Sequence, residues 1–213
     1  MITIPKIISL SFLFLGVFIL IQVVMPIVSF EVWELGQKFD KETTLISPQK
    51  GQSVLGVSIE SKDNFPAFVS SVKREIAPSY TQFRINVPKL QLSEITVDVD
   101  SNDLTRGLVH LPGSALPGER GNVFISGHSA VSPLISLKTA FFGKLQDLKK
   151  ADKIIVEAEG TKFTYQVIDV RAVNPNDTSV IKPPDKMGRY ITLMTCVPPG
   201  LNFKRLVVLG KII

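Results

Sequence analysis

The chain has 213 residues, 45% of them hydrophobic, and a length of this size is typical of one domain with an appendage. Its net charge of +5 and pI of about 9.3 come from Lys and Arg residues that are scattered along the chain. The sequence contains no basic helix and no basic patch interleaved with aromatic residues, so nucleic-acid binding is a poor interpretation.

An uncharged stretch runs from Ile7 to Phe30. It exceeds the length of about 20 residues that a helix needs to cross the hydrocarbon core of a bilayer. A cleaved signal peptide is the alternative, but its apolar core would be shorter, and no small-x-small cleavage site precedes Glu31. We therefore expect an uncleaved transmembrane anchor over residues 7–30. Because Lys6 precedes this span, residues 1–6 are expected in the cytoplasm and the rest of the chain outside.

Residues 31–79 show no long periodic pattern and contain several turn-forming residues. The exception is a set of apolar residues at helical spacing, which predicts a short amphipathic helix through Phe68, Val69, Val72 and Ile76. We interpret the region as a stalk that separates the following domain from the membrane. A lid over a functional site is the alternative, and the sequence does not decide between the two.

From residue 80 onward, apolar residues alternate with polar ones, which is the pattern of half-buried strands. The clearest examples are Phe83, Ile85 and Val87; Ile95, Val97 and Val99; and a hairpin of Ile154–Val156 with Phe163, Tyr165 and Val167, turned at Glu159-Gly160. One short helix is expected, with Leu137, Phe141, Leu145 and Leu148 on one face. Residues 107–121 and 174–189 are predicted to be loops. About eight short strands with turn signals predict an all-β closed barrel or sandwich.

Cys196 is the only cysteine, and it ends an apolar run, 190–195, that is predicted to be a strand. Pro198-Pro199-Gly200 breaks this strand, and Arg205 precedes the next apolar run, 206–209. If the two strands are neighbours, a thiol and a guanidinium share one rim of the sheet, and a nearby cation favours the reactive thiolate. A buried and inert cysteine is the alternative.

His128 follows the predicted strand 122–126 and the turn at Gly127. Cysteine, histidine and arginine side chains at the ends of strands are the components of a cysteine acyl-transfer site. The chain has a second histidine, His110, in the loop predicted over residues 107–121. Spacing alone does not say which histidine lies near the thiol.

Several motifs together resemble the sortases, the cysteine transpeptidases of bacterial cell surfaces. The matching segments are Thr-Leu-x-Thr-Cys at 192–196, the arginine nine residues later at 205, Gly-Glu-x-Gly-Asn at 118–122, Gly-His at 127–128 and Val-Pro-Lys-Leu at 87–90. The likeness covers about residues 80–213. It implies a closed eight-stranded sortase-type β-barrel with one or two short helices, preceded by the transmembrane helix.

The resemblance also implies residue roles. Cys196 is expected to be the nucleophile, His128 the general acid and base, and Arg205 the group that stabilises the oxyanion or the substrate. Thr195 is expected to help position the substrate or the oxyanion, and His110 is expected to have a structural or substrate-side role at most. In sortases the loop before the cysteine strand, here residues 174–189, walls the peptide groove.

The function implied is that of a single-pass enzyme of the cell membrane with its catalytic domain outside. It would cleave a sorting-signal peptide like Leu-Pro-x-Thr-Gly through a thioester and transfer the protein to an amine, on a wall precursor or a pilin lysine. No cofactor and no metal are expected. Two alternatives remain: a non-enzymatic membrane-anchored surface or adhesin protein, and an L,D-transpeptidase, although the Ser-x-Gly-Cys context of the latter is absent around Cys196.

Overall fold

The computed structural model describes residues 4–39, 57–62, 65–70, 78–129, 140–200 and 203–213. The chain divides into two compact units, Met1–Leu45 and Ile46–Ile213. Among the described residues, the first unit contains one helix and the second contains the strands.

The first unit is built on α1, a helix that runs from Ile4 to Phe39. Its segment Leu10–Gly36 has a mean hydropathy of 2.5, so α1 is long and apolar enough to cross a membrane. Large apolar side chains such as Phe12, Phe14 and Phe18 are exposed along it. The predicted span, residues 7–30, lies within α1, and the helix extends beyond that span at both ends.

The second unit begins with an antiparallel hairpin of β1 (Val57–Lys62) and β2 (Phe65–Ser70), which forms a two-stranded sheet of its own. The amphipathic helix predicted through Phe68 and Val69 is therefore wrong at those two residues, which lie in β2. The other two members of its predicted face, Val72 and Ile76, lie outside the described residues. A short apolar run fits both periods, and here pairing with β1 supplies the backbone partners of β2.

The remaining strands close into a barrel, which confirms the all-β closed architecture. In chain order they are β3 (Gln82–Val87), β4 (Leu92–Asp98), β5 (Leu108–His110), β6 (Gly121–Ser126), β7 (Lys153–Ala158), β8 (Thr161–Val173), β9 (Arg189–Val197) and β10 (Lys204–Ile212). Around the barrel their order is β10-β8-β7-β3-β4-β5-β6-β9, and β9 then pairs with β10. The β4–β5 and β6–β9 pairs are parallel, whereas the others are antiparallel.

Side chains of the barrel strands alternate between the core and the surface, as the sequence predicts. In β3 the side chains of Phe83, Ile85 and Val87 are buried. Gln82, which precedes them, and Arg84, which lies between the first two, are exposed. The β7–β8 hairpin turns at residues 159 and 160, both with positive φ, as a tight two-residue hairpin turn requires.

Two predicted elements differ from the structure. β5 lies within the region predicted as a loop, because a three-residue strand between glycines and prolines is too short to show a period. The predicted helix over 137–148 is, in its described part, a series of tight turns ending in a 3-10 turn, Leu145–Asp147. Its buried residues are Phe142, Leu145 and Leu148, spaced by three as a 3-10 conformation requires, and Leu137 lies outside the described residues.

Candidate functional site

The strand β9 lies between β6 and β10, so its side chains meet groups from both neighbours. Cys196 on β9 is directly opposite Arg205 on β10 in the antiparallel register. Residues opposite each other in such a pair point to the same face of the sheet. The thiol and the guanidinium therefore share one face at one end of the barrel, because β9 and β10 are indeed neighbours.

His128 approaches β9 from the opposite side. β6 and β9 are parallel with Ser126 opposite Met194, and the contact continues beyond the end of β6. The backbone N–H of Gly127 donates to the Met194 carbonyl at 3.1 Å. Extending this register by two residues beyond the Ser126–Met194 pair would bring His128, which follows β6, level with Cys196, the partner of Arg205 on β10.

Gly127 is required at the turn before His128 for steric reasons. A Cβ atom at this position would lie 2.4 Å from Cδ2 of Leu108 and 2.8 Å from Cδ2 of Phe142. The next backbone carbonyl, that of His128, accepts a hydrogen bond from the Phe142 N–H at 3.2 Å. The segment that carries His128 is thus closely packed, while the His128 side chain itself is partly exposed.

The electrostatic environment of Cys196 contains two opposing effects. Burial raises the pKa of the thiol, and the positive charge of Arg205 lowers that pKa by a smaller amount. The net pKa of Cys196 is therefore above its ordinary value, so the adjacent cation alone does not make the thiolate the dominant form at neutral pH. Arg205 is only 1% exposed, and its Nη1 donates to the Lys204 carbonyl at 3.2 Å.

Thr195 occupies the face of β9 opposite to Cys196, because successive strand residues alternate. Its side chain is buried, and its hydroxyl donates to the Gly127 carbonyl at 2.8 Å. This bond joins the strand of the thiol to the segment of His128. A direct contact of Thr195 with substrate stays a prediction.

His110 is fully buried at the end of β5. Its Nδ1 lies 3.3 Å from the Asp100 backbone nitrogen, which donates to it, and 3.2 Å from Oδ1 of the same residue. Its Nε2 lies 2.9 Å from the Ala115 carbonyl and 2.8 Å from Oγ of Ser114. Both ring nitrogens are engaged by neighbouring groups of the fold, which favours the structural role among those expected of His110.

The loop between β8 and β9 covers the face that carries Cys196. Its 3-10 turn, Thr178–Ile181, buries Val180 and Ile181 in an apolar cluster. The other members of this cluster are Leu111, Phe124, Met194 and Val207, with Val173 packed against them. Met194 and Val207 lie two residues from Cys196 and Arg205 on their strands and are opposite each other in register. We call this surface of β6, β9 and β10 the Cys196 face.

Two polar residues that the sequence analysis did not single out as functional are buried on this face. Asn122 and Thr192 are 3% and 0% exposed and are hydrogen-bonded to each other. Both belong to the motifs quoted above, and a polar residue within an apolar strand run is a signal for such a pair. Another motif residue, Glu119, accepts a hydrogen bond from the Leu116 N–H at 2.7 Å, within its own turn.

The part of the chain that the structure describes contains no group of three or more His, Cys, Asp or Glu residues that could hold a metal ion.

Comparison with known proteins gives a consistent family. A family model described as the sortase domain matches residues 85–213. Sortase D of Bacillus subtilis is 28% identical over 131 residues, which cover 60% of this chain and 61% of the relative. The matched region is thus less than two thirds of that relative's length.

Solved structures agree with this match. A lid mutant of sortase A from Corynebacterium diphtheriae superposes with a TM-score of 0.56 and 30% identity, covering 64% of this chain and 72% of that one. Sortase C from Clostridium perfringens, solved with the C-terminal cell wall sorting motif, has a TM-score of 0.53 and 26% identity, covering 61% and 69%. These relatives bear the subclass letters D, A and C, so the likeness does not select a subclass. The chain belongs to the sortase family.

Proposed function

We propose that this protein is a membrane-anchored cysteine transpeptidase that cleaves a sorting-signal peptide and transfers the acyl part to an amine. The observation that carries the proposal is that Cys196 lies directly opposite Arg205 on β10, while Gly127, the residue before His128, is hydrogen-bonded to β9. β9 and β10 follow each other in the chain. β6 is distant from both in sequence and joins them through its parallel pairing with β9. Neither of the open alternatives, an adhesin or an L,D-transpeptidase, accounts for the sortase-domain match over residues 85–213.

In the first half of the reaction, Cys196 Sγ attacks the carbonyl carbon of the scissile peptide bond. Because burial raises the pKa of this thiol, its proton must leave as the attack proceeds, and we assign His128 as the acceptor. Arg205 donates hydrogen bonds to the oxygen on which negative charge develops. His128 then gives its proton to the leaving amine, the C–N bond breaks, and a thioester to Cys196 remains.

In the second half an amine replaces the departed peptide. His128 removes a proton from this amine as it attacks the thioester carbonyl, and the thiol leaves with the proton returned to it. A new amide forms and Cys196 is regenerated. When water takes the place of the amine, the product is a carboxylic acid, so hydrolysis is the side reaction.

The substrate class that we propose rests on membership of the sortase family. We propose a peptide related to Leu-Pro-x-Thr-Gly as donor, in line with the relative solved with a cell wall sorting motif. The acceptor is proposed to be an amine of a wall precursor or of a pilin lysine. Both would be reached outside the membrane in which we propose that α1 anchors the enzyme, because α1 is long and apolar enough to span it.

The test uses the full chain in detergent with a library of sorting-signal peptides and an added amine, analysed by mass spectrometry. We expect a cleaved peptide, a thioester adduct on Cys196 and an amine-linked product. Cys196→Ala is the control and should give none of the three, because no other residue of the sequence is a thiol. Wild-type protein that forms no covalent peptide adduct with any library member would contradict the proposal.

The anchor and its orientation have a separate test. With residues 1–6 in the cytoplasm, protease added to spheroplasts should release a fragment that contains Cys196. Protection of that fragment would reverse the orientation. A mature N-terminus near Glu31 would show that the segment is removed instead of retained.

A further inference from the structure

A buried side-chain amide, that of Asn122, joins two strands and a loop. Its Nδ2 is 3.0 Å from the Ile181 carbonyl and 3.3 Å from the Val180 carbonyl, both in the β8–β9 loop. Its Oδ1 accepts a hydrogen bond from the hydroxyl of Thr192 on β9 at 2.9 Å. Asn122 itself is on β6, so one amide connects β6, β9 and the loop.

The direction of these bonds is fixed by chemistry. Backbone carbonyls can only accept, so the amide nitrogen must face Val180 and Ile181 and use its two hydrogens there. The amide oxygen then faces Thr192, whose hydroxyl must donate to it. Loss of that hydroxyl would remove this donor from a buried acceptor, and the loss of a partner costs more than the net gain of an average hydrogen bond.

The loop segment that Asn122 holds lies against the Cys196 face. Val180 and Ile181 pack with Met194 and Val207, which are two residues from Cys196 and Arg205. The start of this 3-10 turn is capped separately, because Oδ1 of Asp177 accepts from the Ser179 N–H at 3.1 Å. The position of the turn therefore depends on an apolar contact, a local cap and the amide of Asn122.

We propose that Asn122 and Thr192 are positioning residues that hold the Val180–Ile181 turn on the Cys196 face. The turn belongs to the loop over residues 174–189, which the resemblance to sortases already implies as a wall of the peptide groove. The inference rests on the proposed function. Thr192 is four residues from Cys196 along β9, which is roughly 13 Å in an extended strand. At that distance its effect is on the binding of the peptide and not on the reacting atoms.

The first measurement compares Thr192→Val with Thr192→Ser in the full-length protein. Valine has the shape of threonine without its hydroxyl, whereas serine keeps the donor. We expect Thr192→Val to raise the KM for the donor peptide about tenfold, the equivalent of about 1.4 kcal/mol, with kcat little changed. The rate and pH profile of Cys196 alkylation by iodoacetamide should stay as in the wild type, and Thr192→Ser should behave like the wild type in all three measurements.

Thr105→Val is the matched control, because it also deletes a hydroxyl that donates to a side-chain oxygen, that of Asp103 at 2.7 Å. That bond lies in a different turn, before β5, and its loss should leave KM unchanged. If Thr192→Val proves too unstable to assay, Asp177→Ala releases the start of the same turn and should raise KM in the same way.

Hydrogen exchange over residues 174–188 tests, without any substrate, whether Asn122 and Thr192 hold the turn in place; we call this set of hydrogen bonds the clamp. Exchange should be faster in Thr192→Val than in the wild type and unchanged in Thr192→Ser. Unchanged exchange in Thr192→Val would overturn the clamp, and faster exchange with an unchanged KM would overturn the role of the turn in binding. A fall in kcat at constant KM would also contradict the inference. If the wild type processes no peptide, the proposed function fails, and the exchange result still decides whether the clamp exists.

Discussion

His110 is the last residue of β5 and His128 lies two residues after the end of β6, the neighbouring strand, yet their surroundings differ. His110 is fully buried, and Asp100, Ser114 and Ala115 engage both of its ring nitrogens. His128 is partly exposed, and the residue before it, Gly127, is hydrogen-bonded to the strand of Cys196. A histidine at the end of a strand is suited to proton transfer only where its ring can reach a substrate, and the burial of the residue decides whether it can.

The most direct test of the difference between the two histidines is to replace each of them with alanine in turn. His128→Ala should lower turnover by about 10² to 10⁴-fold, the usual contribution of a general acid–base group. His110→Ala should retain substantial turnover per folded molecule, because both ring nitrogens of His110 are engaged by groups of the fold. Steady-state kinetics on the two purified variants make the measurement.

The same pair of variants carries its own control. His110→Ala removes buried hydrogen bonds and should therefore lower the free energy of unfolding by about 2 kcal/mol, which a denaturant titration detects. His128→Ala, whose side chain is partly exposed, should change stability less. If the two variants exchange their kinetic outcomes, the assignment of the acid and base is wrong.

A smaller effect is expected on the other side of Cys196, at Arg205. A guanidinium presents a planar fork of donors, whereas an ammonium is a compact charge on a flexible stem. If Arg205 orients the developing oxyanion, Arg205→Lys should lose at least about tenfold in kcat/KM, about 1.4 kcal/mol. Near-normal turnover of the lysine variant would show that charge suffices and that geometry does not matter there.

The smallest expected effect is a shift of the pH at which Cys196 reacts. Only the thiolate is alkylated, and burial raises the pKa of Cys196, so the wild-type rate should rise with pH through a midpoint above the value of about 8.5 for a free cysteine. Arg205→Met removes a charge that lowers this pKa, and its profile should move to still higher pH.

Arg205→Lys keeps the charge and should leave the alkylation profile close to that of the wild type. An upward shift as large as that of Arg205→Met would mean that the lysine ammonium does not reach the position of the guanidinium. Iodoacetamide alkylation followed by mass spectrometry provides the rates for all three proteins.

Much of the barrel could be predicted from the sequence because strands with one buried face alternate. Phe83, Ile85 and Val87 show this period clearly, and they form β3 with every second side chain buried. The β7–β8 hairpin could be located by Glu159-Gly160, since few residues adopt the positive φ that this turn needs. Local patterns of this kind need no information from the rest of the chain.

The predictions of secondary structure were wrong where the local sequence pattern and the tertiary context disagree. Phe68 and Val69 have helical spacing with later residues, yet pairing with β1 makes them strand. β5 is too short to show a period and exists because β4 and β6 pair with it from either side. The Asn122–Thr192 pair could not be predicted as a contact, because 70 positions separate the two residues along the chain.

For the candidate site, the sequence supplied the residue types and the family resemblance supplied their adjacency. The register adds what neither could provide, namely that Cys196 and Arg205 are directly opposite each other. The structure also shows that burial raises the pKa of the Cys196 thiol by more than the neighbouring charge of Arg205 lowers it. A pKa depends on how deeply a group is buried, and no single sequence states that depth.

The parallel pairing of β6 with β9 has a consequence for how the protein matures. Gly127 and Thr195, which are hydrogen-bonded, are 68 positions apart, and the hairpin of β7 and β8 lies between them in the chain. Contacts of such long range form slowly during folding, because the entropy of closing the intervening loop must be lost first. While the barrel is still open, the segment that carries His128 is therefore not held against β9. If His128 is the general base proposed above, we expect acylation of Cys196 to begin only after β6 and β9 have paired.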